Sequence, residues 1–157
     1  MGNCCAGAGA STARGARTHQ NIEHVVDFFT FEGTYDAFVT HVYDGDTVHI
    51  QFVFEGKVRR VRCRLYGIDA PELAISKSDL DRDAKKELGL RAKNKLIEIL
   101  QAANRRYYVI AEVQKEFDKY GRILAKLYIV RGNDIVDVSA EMIRTNNAKP
   151  YFGGKKE

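Results

Sequence analysis

Between Tyr35 and Ile68 the order of residues leaves room for little other than a strand meander. Tyr35 to Tyr43 and Thr47 to Phe54 are dominated by β-branched and aromatic residues, and Asp44-Gly45-Asp46 between them is a tight-turn sequence. A Glu55-Gly56 turn introduces a third run, Lys57 to Ile68, in which Val61, Cys63 and Leu65 alternate with Arg60, Arg62 and Arg64. Successive side chains on a strand point to opposite faces, so one face of this run enters a core and the other carries three guanidiniums. Pro71 ends the run, and a polar loop continues to about Asp81.

Beyond that loop the period changes. Leu88, Ala92, Leu96, Leu100 and Ala103 recur at three- and four-residue spacing, which predicts a helix over Asp83 to Ala103 with its apolar stripe on the core. Tyr107 to Val113 and Ile123 to Val130 read as a strand pair joined through Asp118 to Gly121, followed by a short helix over Val136 to Arg144. Three strands, a long helix, two strands and a short helix predict an α+β, mainly β fold: a five-stranded barrel of the OB type. The barrel domain is expected over 35–152. A Gly-, Ala-, Ser- and Thr-rich flexible tail over 1–20 and an apolar lead-in over 21–34 precede it, and a basic, fraying end follows at 153–157.

The chain has 157 residues, enough for one compact domain, and 25 basic against 21 acidic side chains give a net charge of +4. That balance permits a polyanionic partner without identifying one. No stretch approaches the roughly 20 apolar residues that span a bilayer. The opening residues lack a secretory pattern, being broken by Ser11, Thr12 and Arg14. Cys4, Cys5 and Cys63 make an odd count with no disulfide framework, so an intracellular, reducing setting is expected. The residues do not show an oligomeric state, and a monomer is the default expectation.

Two acidic clusters and two arginines are the candidates for chemistry. Asp44-Gly45-Asp46-Thr47 sits in the first turn, and Ile68-Asp69-Ala70-Pro71-Glu72 sits at a strand end stiffened by proline. Alone, the first is more commonly a purely structural turn, and the second reads also as a solvated acidic turn. Converging from separate strands, their carboxylates would form an oxygen-rich site suited to calcium and poor for zinc, since no Cys or His joins them. Arg64 precedes Asp69 by five residues, and Arg122 follows the Lys119-Tyr120-Gly121 turn. The commoner fate of such arginines is an ion pair.

The order of the blocks is more specific than any one of them. Tyr43-Asp44-Gly45-Asp46-Thr47-Val48, then Arg64-Leu65-Tyr66-Gly67-Ile68-Asp69-Ala70-Pro71-Glu72, then Asp118-Lys119-Tyr120-Gly121-Arg122-Ile123-Leu124-Ala125 resemble the staphylococcal-nuclease-like (thermonuclease) family, with the long helix between the second and third. The resemblance covers Tyr35 to Phe152. It implies a calcium-dependent endonuclease that hydrolyses phosphodiester bonds of DNA and RNA, favouring single-stranded or unwound substrate and leaving 3′-phosphate products. Asp46 and Asp69 then resemble the calcium-binding carboxylates, with the Ala70 carbonyl as a further ligand. Glu72 resembles the general base, and Arg64 and Arg122 the pair that grips the scissile phosphate, a task suited to a planar, permanently charged fork. Lys119 and Tyr120 look like contacts to a neighbouring phosphate, and Tyr151 like a tyrosine that packs on a base. Asp44 and Thr47 are expected to support the ligands by hydrogen bonding. Arg62 should share the face of Arg64 and meet a further phosphate.

The start, Met1-Gly2-Asn3-Cys4-Cys5, resembles that of dually acylated proteins, which implies a myristoyl group on Gly2, palmitate on Cys4 or Cys5, and a membrane surface as partner. A plain Gly/Ala tail with two incidental cysteines and a targeting segment built on Arg14 and Arg17 are the competing readings. For the domain itself the alternative is a nucleic-acid-binding barrel that does no chemistry; the full set Asp46, Asp69, Glu72, Arg64 and Arg122 favours the enzyme.

Overall fold

A computed structural model of the protein describes residues 31–76 and 79–153. The proposed acylation positions Gly2, Cys4 and Cys5 lie outside the described residues, as does most of the expected lead-in. Strands β1 (Gly33–Val42), β2 (Thr47–Phe54) and β3 (Lys57–Leu65) form the meander, followed by a two-residue strand β4 (Ile68–Asp69) and helix α1 (Arg82–Gln101). Next come β5 (Tyr108–Phe117), β6 (Ile123–Arg131), β7 (Asp134–Asp137), helix α2 (Val138–Arg144) and a second two-residue strand, β8 (Lys149–Pro150).

The strands run in the order β3-β2-β1-β5-β6, and β3 pairs with β6 to close the ring. The closing pairs, Cys63 with Ile123, Arg64 with Leu124 and Leu65 with Ala125, are parallel, whereas the other barrel pairings are antiparallel. The result is the expected five-stranded OB-type barrel, of mixed strand sense, with two helices. Closure leaves no long edge strand in need of a partner. Beyond the β3 contact, the last residues of β6 pair with β7, from Tyr128 with Asp137 to Arg131 with Asp134.

Alternation fills the barrel. Val48, Ile50 and Phe52 of β2, Cys63 and Leu65 of β3, Val109, Ala111 and Val113 of β5, and Ile123, Ala125, Leu127 and Ile129 of β6 are all buried. Helix α1 stops one end of it with Ala92, Leu96, Ile99 and Leu100, and α2 adds Val138 and Met142. Each fully buried Leu, Ile or Met contributes about 1.5–3 kcal/mol relative to leaving it exposed. At the opening of β1, Phe31 packs edge-on against Phe52 and Phe54, with ring centroids 5.7 and 5.1 Å apart.

Four details depart from the sequence-based expectation. The third run does not continue to Ile68: β3 stops at Leu65, and Gly67, at φ 83°, turns the chain so that Ile68–Asp69 pairs with Lys149–Pro150 instead. Strand β5 passes Val113, through a register irregularity, to Phe117. Val136 belongs to β7 and not to the short helix, which starts at Val138 because the Asp137 side chain accepts hydrogen bonds from the Ser139 and Ala140 N–H groups. Leu88 is 43% exposed. The buried line begins at Gly89, where α1 lies against the backbone of Glu72 so closely that an added Cβ would stand 2.6 Å from the Glu72 carbonyl oxygen. No helix among the described residues is long and apolar enough to cross a membrane.

Candidate active site

The site is assembled where the β1–β2 turn, the end of β3, the β4 segment and the β5–β6 turn meet. Asp44 shapes the first turn by accepting from the Asp46 N–H at 3.1 Å. Gly45 is required there, because a Cβ would stand 2.7 Å from the Cβ atoms of both Ala70 and Ala92. The close approach buries Asp46 to 4% exposure.

Both oxygens of that buried carboxylate have partners. Its Oδ1 accepts from the Thr47 hydroxyl at 2.9 Å, and its Oδ2 accepts from the Ala70 N–H at 3.2 Å and faces Arg64 Nη1 at 2.9 Å. Arg64 Nη2 reaches the other cluster, donating to Asp69 Oδ1 at 2.9 Å and to the Ile68 carbonyl at 3.1 Å. One guanidinium therefore ties both acidic clusters together. Burial pushes the Asp46 carboxyl up, and Asp44 adds to this against the opposing pull of Arg64. For Arg64 the cost of burial is outweighed by Asp46 and Asp69, which hold the guanidinium charged.

Thr47 extends the network to the third block, its hydroxyl accepting from Arg122 Nη1 at 2.8 Å. Arg122 Nε is held in turn by Asp118 Oδ2 at 2.5 Å. Asp118 Oδ1 accepts from the Arg122 and Tyr120 N–H groups at 2.9 and 2.8 Å, which fixes the β5–β6 turn. A continuous chain of contacts thus runs Asp69–Arg64–Asp46–Thr47–Arg122–Asp118. Three of the five N–H donors of Arg64 and two of those of Arg122 are used in it. The remaining donors belong to two oriented cations, a pairing suited to an oxyanion with several equatorial oxygens.

Around this centre stand the other expected residues. Tyr120, 68% exposed, has the Lys119 ammonium 4.9 Å and the Arg122 guanidinium 5.5 Å from its ring centroid. Tyr151 follows β8, donates its N–H to the Gly67 carbonyl at 2.9 Å, and sets its ring 5.9 Å from the Arg64 guanidinium. Glu72 is exposed, two residues past the buried Ala70, on the segment that Gly89 supports. Arg62 is exposed on the outer face of β3, one alternation down from Arg64.

A profile of the family described as staphylococcal nuclease homologue matches residues 62–156. The chain belongs to that family. It is similar to the endonuclease YhcR of Bacillus subtilis, 29% identical over 122 residues that make up 77% of this chain and 9% of that protein. It is also similar to the uncharacterised protein MJ1439 of Methanocaldococcus jannaschii, 26% identical over 141 residues, 80% of this chain and 65% of that protein. The chain thus spans less than two thirds of the length of each of these relatives.

Within this staphylococcal nuclease homologue barrel, the donors fit a hard cation with a sparse protein shell. Asp44, Asp46 and Asp69 outnumber Arg64, the oxygens of Asp46 and Asp69 are close enough to share one guanidinium, and no nitrogen or sulfur ligand stands among them. Among the described residues no group of three or more His, Cys, Asp or Glu side chains converges to hold a metal. An ion there would rest on the two carboxylates, the Ala70 carbonyl and water. The sequence motif by itself assigns Asp118 no role, although an Asp opening a turn that closes on Gly121 commonly accepts backbone N–H groups. Ser139, whose hydroxyl donates to the Tyr66 carbonyl at 3.1 Å and so pins the β3–β4 turn to α2, carried no such signal.

Proposed function

We propose that the protein is a metal-dependent endonuclease that hydrolyses phosphodiester bonds of DNA and RNA. The observation that carries this reading is the linked pair of arginines, Arg64 and Arg122, joined through Asp46 and Thr47. Family membership and the likeness to an endonuclease support it.

In this reading the spare N–H donors of Arg64 and Arg122 bind the scissile phosphate and stabilise its transition state. Charge accumulates on the equatorial oxygens as water attacks, so preorganised guanidiniums bind the transition state better than the ground state. Asp118 and Thr47 keep Arg122 in place, so that little reorganisation is needed when the charge develops. Glu72 orients the attacking water and takes its proton as the new P–O bond forms; the bond to the 5′-oxygen breaks, and that oxygen leaves as a 5′-hydroxyl with a proton drawn from solvent, giving a 3′-phosphate product. Asp46, Asp69 and the Ala70 carbonyl would hold calcium, which when bound supplies positive charge to the phosphoryl oxygens. Lys119 and Tyr120 meet the neighbouring phosphate, and Tyr151 offers a ring to a base. All these contacts address phosphates and base faces, not a 2′-hydroxyl, so both sugars are accepted. Tethering to a membrane through Gly2 and Cys4 or Cys5 is part of the same proposal, tested by the mass of the N-terminal peptide from the native host.

The deciding experiment is cleavage of plasmid and single-stranded DNA with calcium, with magnesium and with chelator, beside the Glu72→Gln variant. Calcium-dependent cutting that collapses in the variant is expected. Binding without cutting under every metal would leave a non-catalytic binding barrel instead.

A further inference from the structure

The proposed reaction leaves a cationic face of the barrel unused. On β3, Arg60 and Arg62 share the outer face with Arg64, while Cys63 and Leu65 are buried inside. The register sets Arg62 opposite His49 and His49 opposite His41, in one row across β3, β2 and β1. The two imidazole rings lie 5.5 Å apart. In the next row Arg60 stands opposite Gln51.

Among the exposed arginines of the described residues, Arg131 and Arg144 meet an acid, both at Glu141. Arg60 and Arg62 are exposed, and among the described residues neither takes part in a salt bridge or a side-chain hydrogen bond. Burial first, and then the charges of His41, Arg62 and Arg60, push the His49 imidazole down from its ordinary value.

Alternate residues on a strand are roughly 6.6–6.8 Å apart. Arg64, Arg62 and Arg60 therefore follow one another along the strand at a backbone step comparable to that between successive phosphates of an extended polynucleotide. In barrels of this type, oligonucleotides lie across the second and third strands between the loop joining strands one and two and the loop joining strands four and five. Here those loops carry Asp44–Asp46 and Asp118–Gly121, and the second and third strands carry His49, Arg60 and Arg62. We propose that this outer face is a binding track for the phosphate backbone of single-stranded nucleic acid, running from Arg64 through Arg62 to Arg60 with His49 and His41 alongside. The track rests on the reading of the Arg64–Arg122 site as the point of cleavage, since it continues from there.

The test separates the two readings. Binding of a fluorescent thymidylate oligomer, long enough to run from Arg64 past Arg60, is followed by anisotropy against salt. It is done in chelator and in a Glu72→Gln background, so that nothing is cut. The Arg60→Gln/Arg62→Gln variant should lower the log–log salt slope by about 1.4, roughly 0.7 for each lost phosphate contact, and weaken binding on the order of 20-fold near about 0.1 M salt. Arg60→Lys/Arg62→Lys should restore most of both, since a backbone contact needs charge more than a fork. With active protein, Arg60→Gln should raise KM for the long oligomer. An unaltered slope and affinity in the double variant, with wild-type cleavage intact, overturns the track and spares the nuclease. A wild-type protein that neither binds nor cuts nucleic acid overturns both.

Discussion

Arg64 Nη1 lies 2.9 Å from Oδ2 of Asp46, a carboxylate only 4% exposed. The same guanidinium holds Asp69 at 2.9 Å, so a single side chain offsets the repulsion of two acidic clusters. Removing one partner of a buried pair leaves the other desolvated and unmatched, at a cost of roughly 3–5 kcal/mol. Arg64→Ala should therefore lower stability by about that amount, read from urea unfolding, and reduce cleavage by roughly 10²- to 10³-fold, the loss from one key transition-state donor. Arg64→Lys should recover part of the stability and little of the activity, because one ammonium cannot reach both carboxylates and a phosphate. Full activity in Arg64→Lys would remove the bidentate role assigned to this side chain.

Asp118 acts on Arg122 in the same way but titrates more openly. Burial pushes its carboxyl up, and the hydrogen bonds from the Arg122 backbone and side chain and from Tyr120 outweigh this, leaving it below the ordinary 3.8. A carboxylate depressed in the folded state contributes stability that is fully present above the unfolded value and lost as pH falls through the folded one. Asp118→Asn should be about 2 kcal/mol less stable than wild type at neutral pH, the scale of a charge-assisted hydrogen bond. Unfolding midpoints measured from neutral pH downward should converge below about pH 3.8. Parallel curves would show that the Asp118–Arg122 contact carries no acid-sensitive stability. Because Arg122 would lose its orientation, cleavage at neutral pH should fall roughly 10- to 100-fold, within the effect of misplacing a catalytic group by about 1 Å.

The parts of the molecule that could be read from the residues were those with a local cause. Strand β2 was legible to the residue and β3 up to its end, because Val48, Ile50 and Phe52 and then Cys63 and Leu65 alternate with polar or exposed positions; the turn at Gly67 that stops β3 at Leu65 was not. Strand β7 was not, because Asp134–Asp137 is short and largely exposed and becomes a strand only by pairing with β6. In α1 the apolar spacing fits a line through Leu88 as well as one through Gly89, and only the approach of the Glu72 backbone chooses between them. The acidic and basic blocks of the site were visible as motifs. The Thr47 bridge between two arginines was not, since it joins residues 75 apart and depends on how three turns pack.

That approach of α1 to Glu72 sets two effects against each other. Alanine is favoured over glycine inside a helix by about 1 kcal/mol. At Gly89, however, a Cβ would meet the Glu72 carbonyl oxygen at 2.6 Å, its carbon at 3.0 Å and Leu73 Cδ2 at 3.2 Å. The first two are backbone atoms and cannot rotate away. Gly89→Ala should push the Glu72 segment off the helix, costing about 1–3 kcal/mol from overpacking and roughly 100-fold in turnover if the carboxyl moves by about 1 Å. The Leu88→Ala exchange beside it, at a 43% exposed position, should leave turnover unchanged. Equal turnover in Gly89→Ala and wild type would mean that Glu72 is not placed by this contact.

Cys63 gives the last prediction, one that concerns the barrel and not the site. It is fully buried between β2 and β6, and burial pushes its thiol up from 9.0 to about 12, against a weak opposing contact from the Ala125 backbone. The thiolate is the reactive form, so Cys63 should resist alkylation at mildly alkaline pH in the folded protein and react once the chain is unfolded in guanidinium. Peptide mapping reads it separately from Cys4 and Cys5. The same shift has a second consequence. Between pH 9.0 and about 12 the unfolded chain loses this proton while the folded protein keeps it. Stability should then fall by about 1.4 kcal/mol per pH unit on account of this residue, having been unaffected by it below that range. Cys63→Ala removes the slope, leaving a smaller side chain in the core and a protein less stable at neutral pH but less sensitive to alkali. If the variant and wild type lose stability in parallel above pH 9.0, the thiol is not shielded by the barrel as its position requires.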